Sequence, residues 1–432
     1  MNAVRNTLRR AAIPTLAVIT ALLVGAIVII LTDFESLSKI GQDPVRALLS
    51  VDNVDGKTIF GGAIGGVINA YSALLTGAFG DPERFKAALA SGTPKDWATA
   101  LRPITETLVA AMPYIFCGLA VAISFRAGMF NIGGNGQVLL GALAATMVVI
   151  GLNGKVPSPV LLVLGILGGA AAGGFWGFIP GFLKARTGAH EVITTIMMNY
   201  IAALVVFFSL QGTNNWLRNP GSTSPISRPM GPMTDVPNIL DLPNTRLDYG
   251  FVVAILMAVA VSWLLFRTTK GFELRASGFA PFAARYAGMS AGGSMMLAMA
   301  LSGGLAGMAG AFIVIGTVGQ LSLDIHGNVG FNAIALALLA GLRPSGVVMA
   351  ALLFGALTNG GKLMGVQSGI PFDLLSFIMA LVIMFVAAPG LIRGIWRIRQ
   401  PRAVGPVTAP PASPPAATPP PAAPPTEPAA AS

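Results

Sequence analysis

The chain has 432 residues, 54% of them hydrophobic and only 10% charged, with a formal net charge of +10. A soluble domain carries about 25% charged residues, so a single water-soluble core is excluded and an all-α integral membrane protein is expected. One cysteine, Cys117, and two distant histidines, His190 and His326, exclude an internal disulfide and argue against a zinc site.

In chain order, Arg5, Arg9 and Arg10 precede an apolar run of 21 residues, 11–31. That is longer than a secretory apolar core of about 7–15 residues and long enough to cross about 30 Å of hydrocarbon. It reads as a retained anchor. The stretch 32–105 mixes charges, and its moderately apolar part, 59–79, is a span candidate weakened by its glycines and reads as an amphipathic or interfacial helix. Nine more spans are expected at 108–125, 137–152, 159–183, 193–210, 251–266, 294–315, 331–342, 347–361 and 374–392, making ten in all. The tail, 401–432, is rich in proline and alanine and reads as a disordered extension. Three units follow: an anchor with an extracytoplasmic segment over 1–103, a polytopic domain over 104–400, and the tail.

With the N-terminus cytoplasmic, ten spans place fifteen of the 27 basic residues inside, mostly in short loops, against three of the 17 acids. This asymmetry puts both termini in the cytoplasm. It also makes the positive charge a matter of topology, so nucleic acid is not an expected partner. Gly165, Gly169, Gly173, Gly177 and Gly181 recur every fourth residue, as do Gly303 and Gly307. Such ladders offer a flat groove to a neighbouring helix.

Nucleotide and catalytic motifs fail on spacing. The nearest approach to a phosphate loop, Gly355 to Lys362, is off by one residue and is followed by leucine. A dinucleotide fingerprint lacks its third glycine at Leu139, and Thr194 stands where a zinc helix needs its second histidine. The G-x-S-x-G at Gly288–Gly292 lacks the strand that a nucleophile elbow requires. No enzyme activity is expected.

Polar side chains in or beside spans are costly and usually face a cavity or the bundle interior. Asn131, Asn135, Gln137, Asn199 and Asn332 qualify, and amides suit a neutral hydroxylated ligand or a base edge. Each serves equally well as an interhelical hydrogen bond. Glu191, at the start of a span, is either a gate or a carboxylate favoured by the helix dipole. The stretch "FRAGMFNIGGNGQ", Phe125–Gln137, reads as a broken, re-entrant segment. The cytoplasmic loop 267–290 is basic, and Pro281 fits the first turn of a short helix there. It reads as a solvated turn or as a docking helix for a cytoplasmic motor.

Within that loop, "ELRASGFAPFAARYAGMS" resembles the coupling segment of permease subunits in type II ABC importers of the sugar, nucleoside and branched-chain amino acid class. "FRAGMFNIGGNGQVLLGALAA", "GAHEVITTIMMNYIA" and "GLRPSGVVMAALLFGAL" resemble three further blocks, most like those of the nucleoside or simple sugar branch. Asn135 stands where that family often has an acid, and Phe279-Ala280 replace a more polar pair.

The resemblance implies import of nucleosides by alternating access across a bacterial cytoplasmic membrane. It implies an ABC ATPase subunit that alone holds ATP and magnesium. It also implies a second, different permease chain and an extracytoplasmic binding protein. Glu273, Arg275, Gly278, Pro281, Ala284 and Arg285 match the coupling block. Import of a simple sugar or other small neutral solute, and a secondary transporter driven by an ion gradient, are the alternatives.

Overall fold

The computed structural model describes residues 2–32, 43–44, 48–54, 57–212, 215–231, 237–240, 242–243, 245–368 and 372–397. The expected disordered tail lies outside them. Among the described residues the chain is almost wholly helical. The main exceptions are one antiparallel hairpin, β1 (Ser50–Val54) with β2 (Lys57–Gly61), in which Ser50 faces Gly61 and Val54 faces Lys57, and the described residues of the irregular connection 210–248, which hold two isolated bridges.

Nine helices among the described residues are long and apolar enough to cross a membrane. In chain order they lie in α1 (Asn2–Thr32), α2 (Gly62–Phe79), then, after the short α3 (Pro82–Ser91), α4 (Pro94–Arg126), α5 (Gly134–Leu152), α6 (Ser158–Thr187), α7 (Glu191–Ser209) and α8 (Tyr249–Arg267). Two short helices follow, α9 (Thr269–Phe279) and α10 (Pro281–Tyr286). The eighth is α11 (Ala291–Phe312), which continues as a π-helix over Ile313–Val318. After α12 (Val329–Leu339) comes the ninth, α13 (Pro344–Ser368), then α14 (Phe372–Ala387) and α15 (Pro389–Ile395).

Three elements differ from the sequence reading. The stretch expected as an interfacial helix is α2, whose 18 residues are span-like and pack along α13. There Asn359 donates its amide to Gly77 O at 2.8 Å and Pro103 O at 3.0 Å. The span expected at 331–342 is only the 11-residue α12, because Asn328 (φ 59°) opens it late and Gly341 (φ 60°) and Leu342 (φ 56°) end it early. The span expected at 374–392 is cut at Pro389, whose ring removes a backbone donor and turns Ala388 out of helical geometry (φ −114°, ψ 68°).

Burial ranks the helices. The apolar windows of α4 and α11 are 83% and 78% buried, whereas those of α7 and α8 are 22% and 28%, so α4 and α11 form the centre. The glycine ladders meet there: Gly169, Gly173 and Gly177 of α6 lie backbone to backbone against Gly303 and Gly307 of α11. Without Cβ atoms the helix axes approach until carbonyl oxygens touch Cα atoms, a packing that lipid surroundings favour. Phe116 stacks on Phe312 with ring centroids 5.4 Å apart, tying α4 to α11.

Candidate functional site

The break between α4 and α5 is built by its own residues. Gly128 takes a left-handed φ of 72°, and the Met129 N–H donates back to Ser124 O at 2.9 Å, closing the end of α4. Asn131 then turns the chain locally, because its Oδ1 accepts from the Gly133 N–H at 3.0 Å. Gly134 begins α5, and its missing side chain admits the backbone of Gly330 at the start of α12.

Four of the five expected amides hold this break together. Asn131 is 2% exposed and donates to Ser302 Oγ at 2.8 Å and Gln137 Oε1 at 3.0 Å, and Gln137 returns a bond to Asn131 Oδ1 at 3.2 Å. Asn199 of α7 accepts from the Gly136 N–H at 2.8 Å and donates to Ile132 O at 3.0 Å. Asn135 donates to Asn328 Oδ1 at 3.3 Å and accepts from the Phe331 N–H at 3.1 Å, joining the break to α12. Ser302 stands eleven residues into α11, about 16 Å along it, which is roughly half the hydrocarbon thickness. The break therefore sits deep in the bundle.

Asn332 is the exception. Its side chain is half-buried and makes no hydrogen bond among the described residues. Beside these amides stand Phe130, 51% exposed, and Phe331, 61% exposed. The sequence reading placed Phe130 in the re-entrant segment and Phe331 at the start of an expected span without singling out either ring; their exposure beside the amides distinguishes them. Ser302 and Thr195, which accepts from the Ile132 N–H at 3.4 Å, were also not singled out in the sequence.

A cavity of about 210 Å³ opens between α4, the end of α11, the start of α12 and α13. Tyr114, Thr317, His326, Thr358 and Lys362 line it, together with Val329 and the Glu106–Arg246 ion pair. Thr358 Oγ1 is buried there with no hydrogen-bond partner among the described residues. Val329, which lines it, precedes Gly330, whose backbone packs on Gly134 and Asn135 of the break.

The residues of the coupling block fall on α9 and α10. Glu273 pairs with Lys270 at 2.9 Å, and Arg275 lies 5.3 Å over the Phe266 ring. Pro281 opens α10, Ala284 is buried at 4% exposure, and Arg285 is exposed. Phe279, Phe282 and Tyr286 project from this surface, Tyr286 at 96% exposure. Gly278 makes the decisive contact. A Cβ there would stand 2.5 Å from Arg126 O and from the Ala127 carbonyl carbon, so the end of α9 rests directly on the start of the break. Glu191 is tied to Lys184 at 2.6 Å across the α6–α7 turn, and its backbone oxygen accepts from Thr195 at 2.8 Å.

A polytopic bundle with a hydrogen-bonded polar break at mid-depth, touched by an exposed helix pair, defines a membrane permease. The chain belongs to the ABC transporter permease family described as "Branched-chain amino acid transport system / permease component", which matches residues 104–387. It is 40% identical over 329 residues to the guanosine ABC transporter permease protein NupP of Bacillus subtilis, covering 76% of this chain and 87% of that one. The nucleoside ABC transporter permease protein NupB of Lactococcus lactis is 35% identical over 297 residues, 67% of this chain and 80% of its own. The glucose ABC transporter permease protein TsgB13 of Haloferax volcanii is 35% identical over 290 residues, 66% and 75% of the two chains. No solved structure matches.

Proposed function

We propose that this multi-pass permease imports nucleosides as one subunit of an ATP-driven ABC importer in the cytoplasmic membrane. ATP hydrolysis belongs to a separate subunit docked on α9 and α10, in keeping with the failed nucleotide motifs. The α9–α10 pair faces the cytoplasm, a second permease chain completes the pathway, and an extracytoplasmic binding protein delivers the solute. Asn131, Asn135, Gln137, Asn199 and Asn332 belong to the pathway in unequal roles. The first four shape the break, and Asn332, with the rings of Phe130 and Phe331, meets the solute. Amides pair with a base edge or ribose hydroxyls, and a base stacked on an aromatic ring gains about 1–3 kcal/mol.

The observation that carries the mechanism is the backbone contact of Gly278 with Arg126 and Ala127. A push on α9 from the ATPase reaches the break with no compliant side chain between them. Glu191 and Lys184 latch the α6–α7 turn next to Thr195, the position of a gate. In membrane vesicles carrying this chain and its partner subunits, labelled nucleoside uptake is expected to require ATP. Uptake that persists without the ATPase and follows a proton or sodium gradient would make the protein a secondary transporter. The glucose permease relative supports a second reading, import of a simple sugar or other small neutral solute. Competition of labelled nucleoside uptake by excess glucose separates the two.

A further inference from the structure

An exposed slot of about 490 Å³ runs along α8 to the first turns of α13. Ile255, Val259, Ser262 and Trp263 line it from one side, Ser345 and Val348 from the other. From Ile255 to Arg267 it follows twelve residues of helix, about 18 Å, close to the hydrocarbon depth of one leaflet. Val259 and Trp263 are 63% and 62% exposed, so one wall is apolar and uncovered.

The slot ends at Phe266 and Arg267, which it shares with a second, polar cavity of about 700 Å³ formed with α9. Positive charge gathers at this junction. The guanidinium groups of Arg126 and Arg275 lie 4.9 Å and 5.3 Å from the centroid of the Phe266 ring. Arg343, two residues before Ser345 of the slot wall, is a second charged neighbour of Arg126. Among the described residues Glu273 is the only carboxylate lining either cavity, and Lys270 engages it. Among the described residues Arg267 and Arg343 are exposed and form no ion pair. Cations without counterions at the boundary end of an apolar slot complement an anion that carries its own hydrocarbon chain. Basic pockets between membrane helices take lipid head groups on the same grounds.

We propose that this slot holds an acyl chain of an anionic phospholipid, with its phosphate seated on Arg267 and Arg343. Because α9 lies on the same charged junction, the lipid also braces the helix pair that rests on the break. The inference goes beyond the transport reading and stands whichever solute is carried.

The test uses the full-length permease with its partner subunits in phosphatidylcholine nanodiscs doped with brominated phosphatidylglycerol or brominated phosphatidylcholine. The emission lost in Trp263→Phe reports the slot. Brominated phosphatidylglycerol is expected to quench that emission at a roughly tenfold lower mole fraction than brominated phosphatidylcholine. The preference is expected to vanish in Arg267→Gln/Arg343→Gln and to persist in Arg267→Lys/Arg343→Lys, which separates charge from misfolding. Equal quenching by both lipids in the unaltered protein would overturn the proposal. So would the absence of quenching by either, which would mean that the partner permease covers the slot. Displacement of the brominated lipid by inorganic phosphate alone would make this an ion site and overturn it as well.

Discussion

At the scale of single residues, the five amides separate by what they already bond. Asn131→Leu would leave Gln137, Ser302 and the Gly133 N–H short of partners in a buried position. Each orphaned group costs about 1–3 kcal/mol. The substitution is therefore expected to lower the unfolding temperature of the purified permease as well as to abolish uptake. Asn332→Ala breaks no hydrogen bond and is expected to raise the half-saturation concentration for uptake severalfold with an unchanged unfolding temperature. If Asn332→Ala destabilises the protein as Asn131→Leu does, its assignment to the solute fails.

Asp248 supplies a pH dependence. It caps α8 by accepting from the Gly250 N–H at 2.8 Å, while its Oδ2 is buried and unpartnered. Burial pushes its carboxyl up from 3.8 to about 6. A raised carboxyl favours the protonated fold, so its contribution to stability is greatest at acid pH and is lost as pH rises through about 6. Asp248→Asn keeps a good cap and removes the charge. At about pH 8 it is expected to be more stable than the unaltered chain, by at most about 3 kcal/mol, with the gap narrowing towards about pH 5. Thermal unfolding of the two proteins across that range measures it.

At the scale of elements, glycines mark where backbone meets backbone. Gly278→Ala places a methyl group 2.5 Å from Arg126 O, so α9 and the break must move apart. Uptake is expected to fall at least about tenfold while ATP hydrolysis by the assembled complex continues, because the variant acts on transmission rather than on the ATPase. Gly173→Leu tests a different contact. It would force α6 from α11 and is expected to reduce the yield of folded permease, measured by size-exclusion chromatography. The ladders were legible in the sequence as a spacing of four, although their partners were not. The rise of α2 into the bundle was not legible either. Its glycines and threonine lower its average hydropathy, and only its contact with α13 removes that surface from water.

At the scale of the molecule, the proposed orientation rests on charge and is open to labelling. The native Cys117 is buried, so single introduced cysteines report cleanly. Tyr286→Cys is expected to react with an impermeant maleimide only from the cytoplasmic side, and Ser224→Cys only from outside. Reaction of both from one side would overturn the topology proposed here.

The sequence by itself determined that the chain is a helical membrane permease, where most of its spans run, and which loop resembles the coupling segment. Those properties are written in local composition: apolar length, basic loops and contiguous motif residues. Tertiary structure alone decided which amides are occupied and which is open. It also decided that 331–342 is a short helix, that Gly278 rests on Arg126 and Ala127, and that Arg267, with no ion pair among the described residues, stands at the end of an apolar slot. Each of these joins residues far apart in the chain. A hydrogen bond such as that from Asn131 to Ser302 exists only once two helices have been packed to within 2.8 Å, a distance that no local pattern encodes.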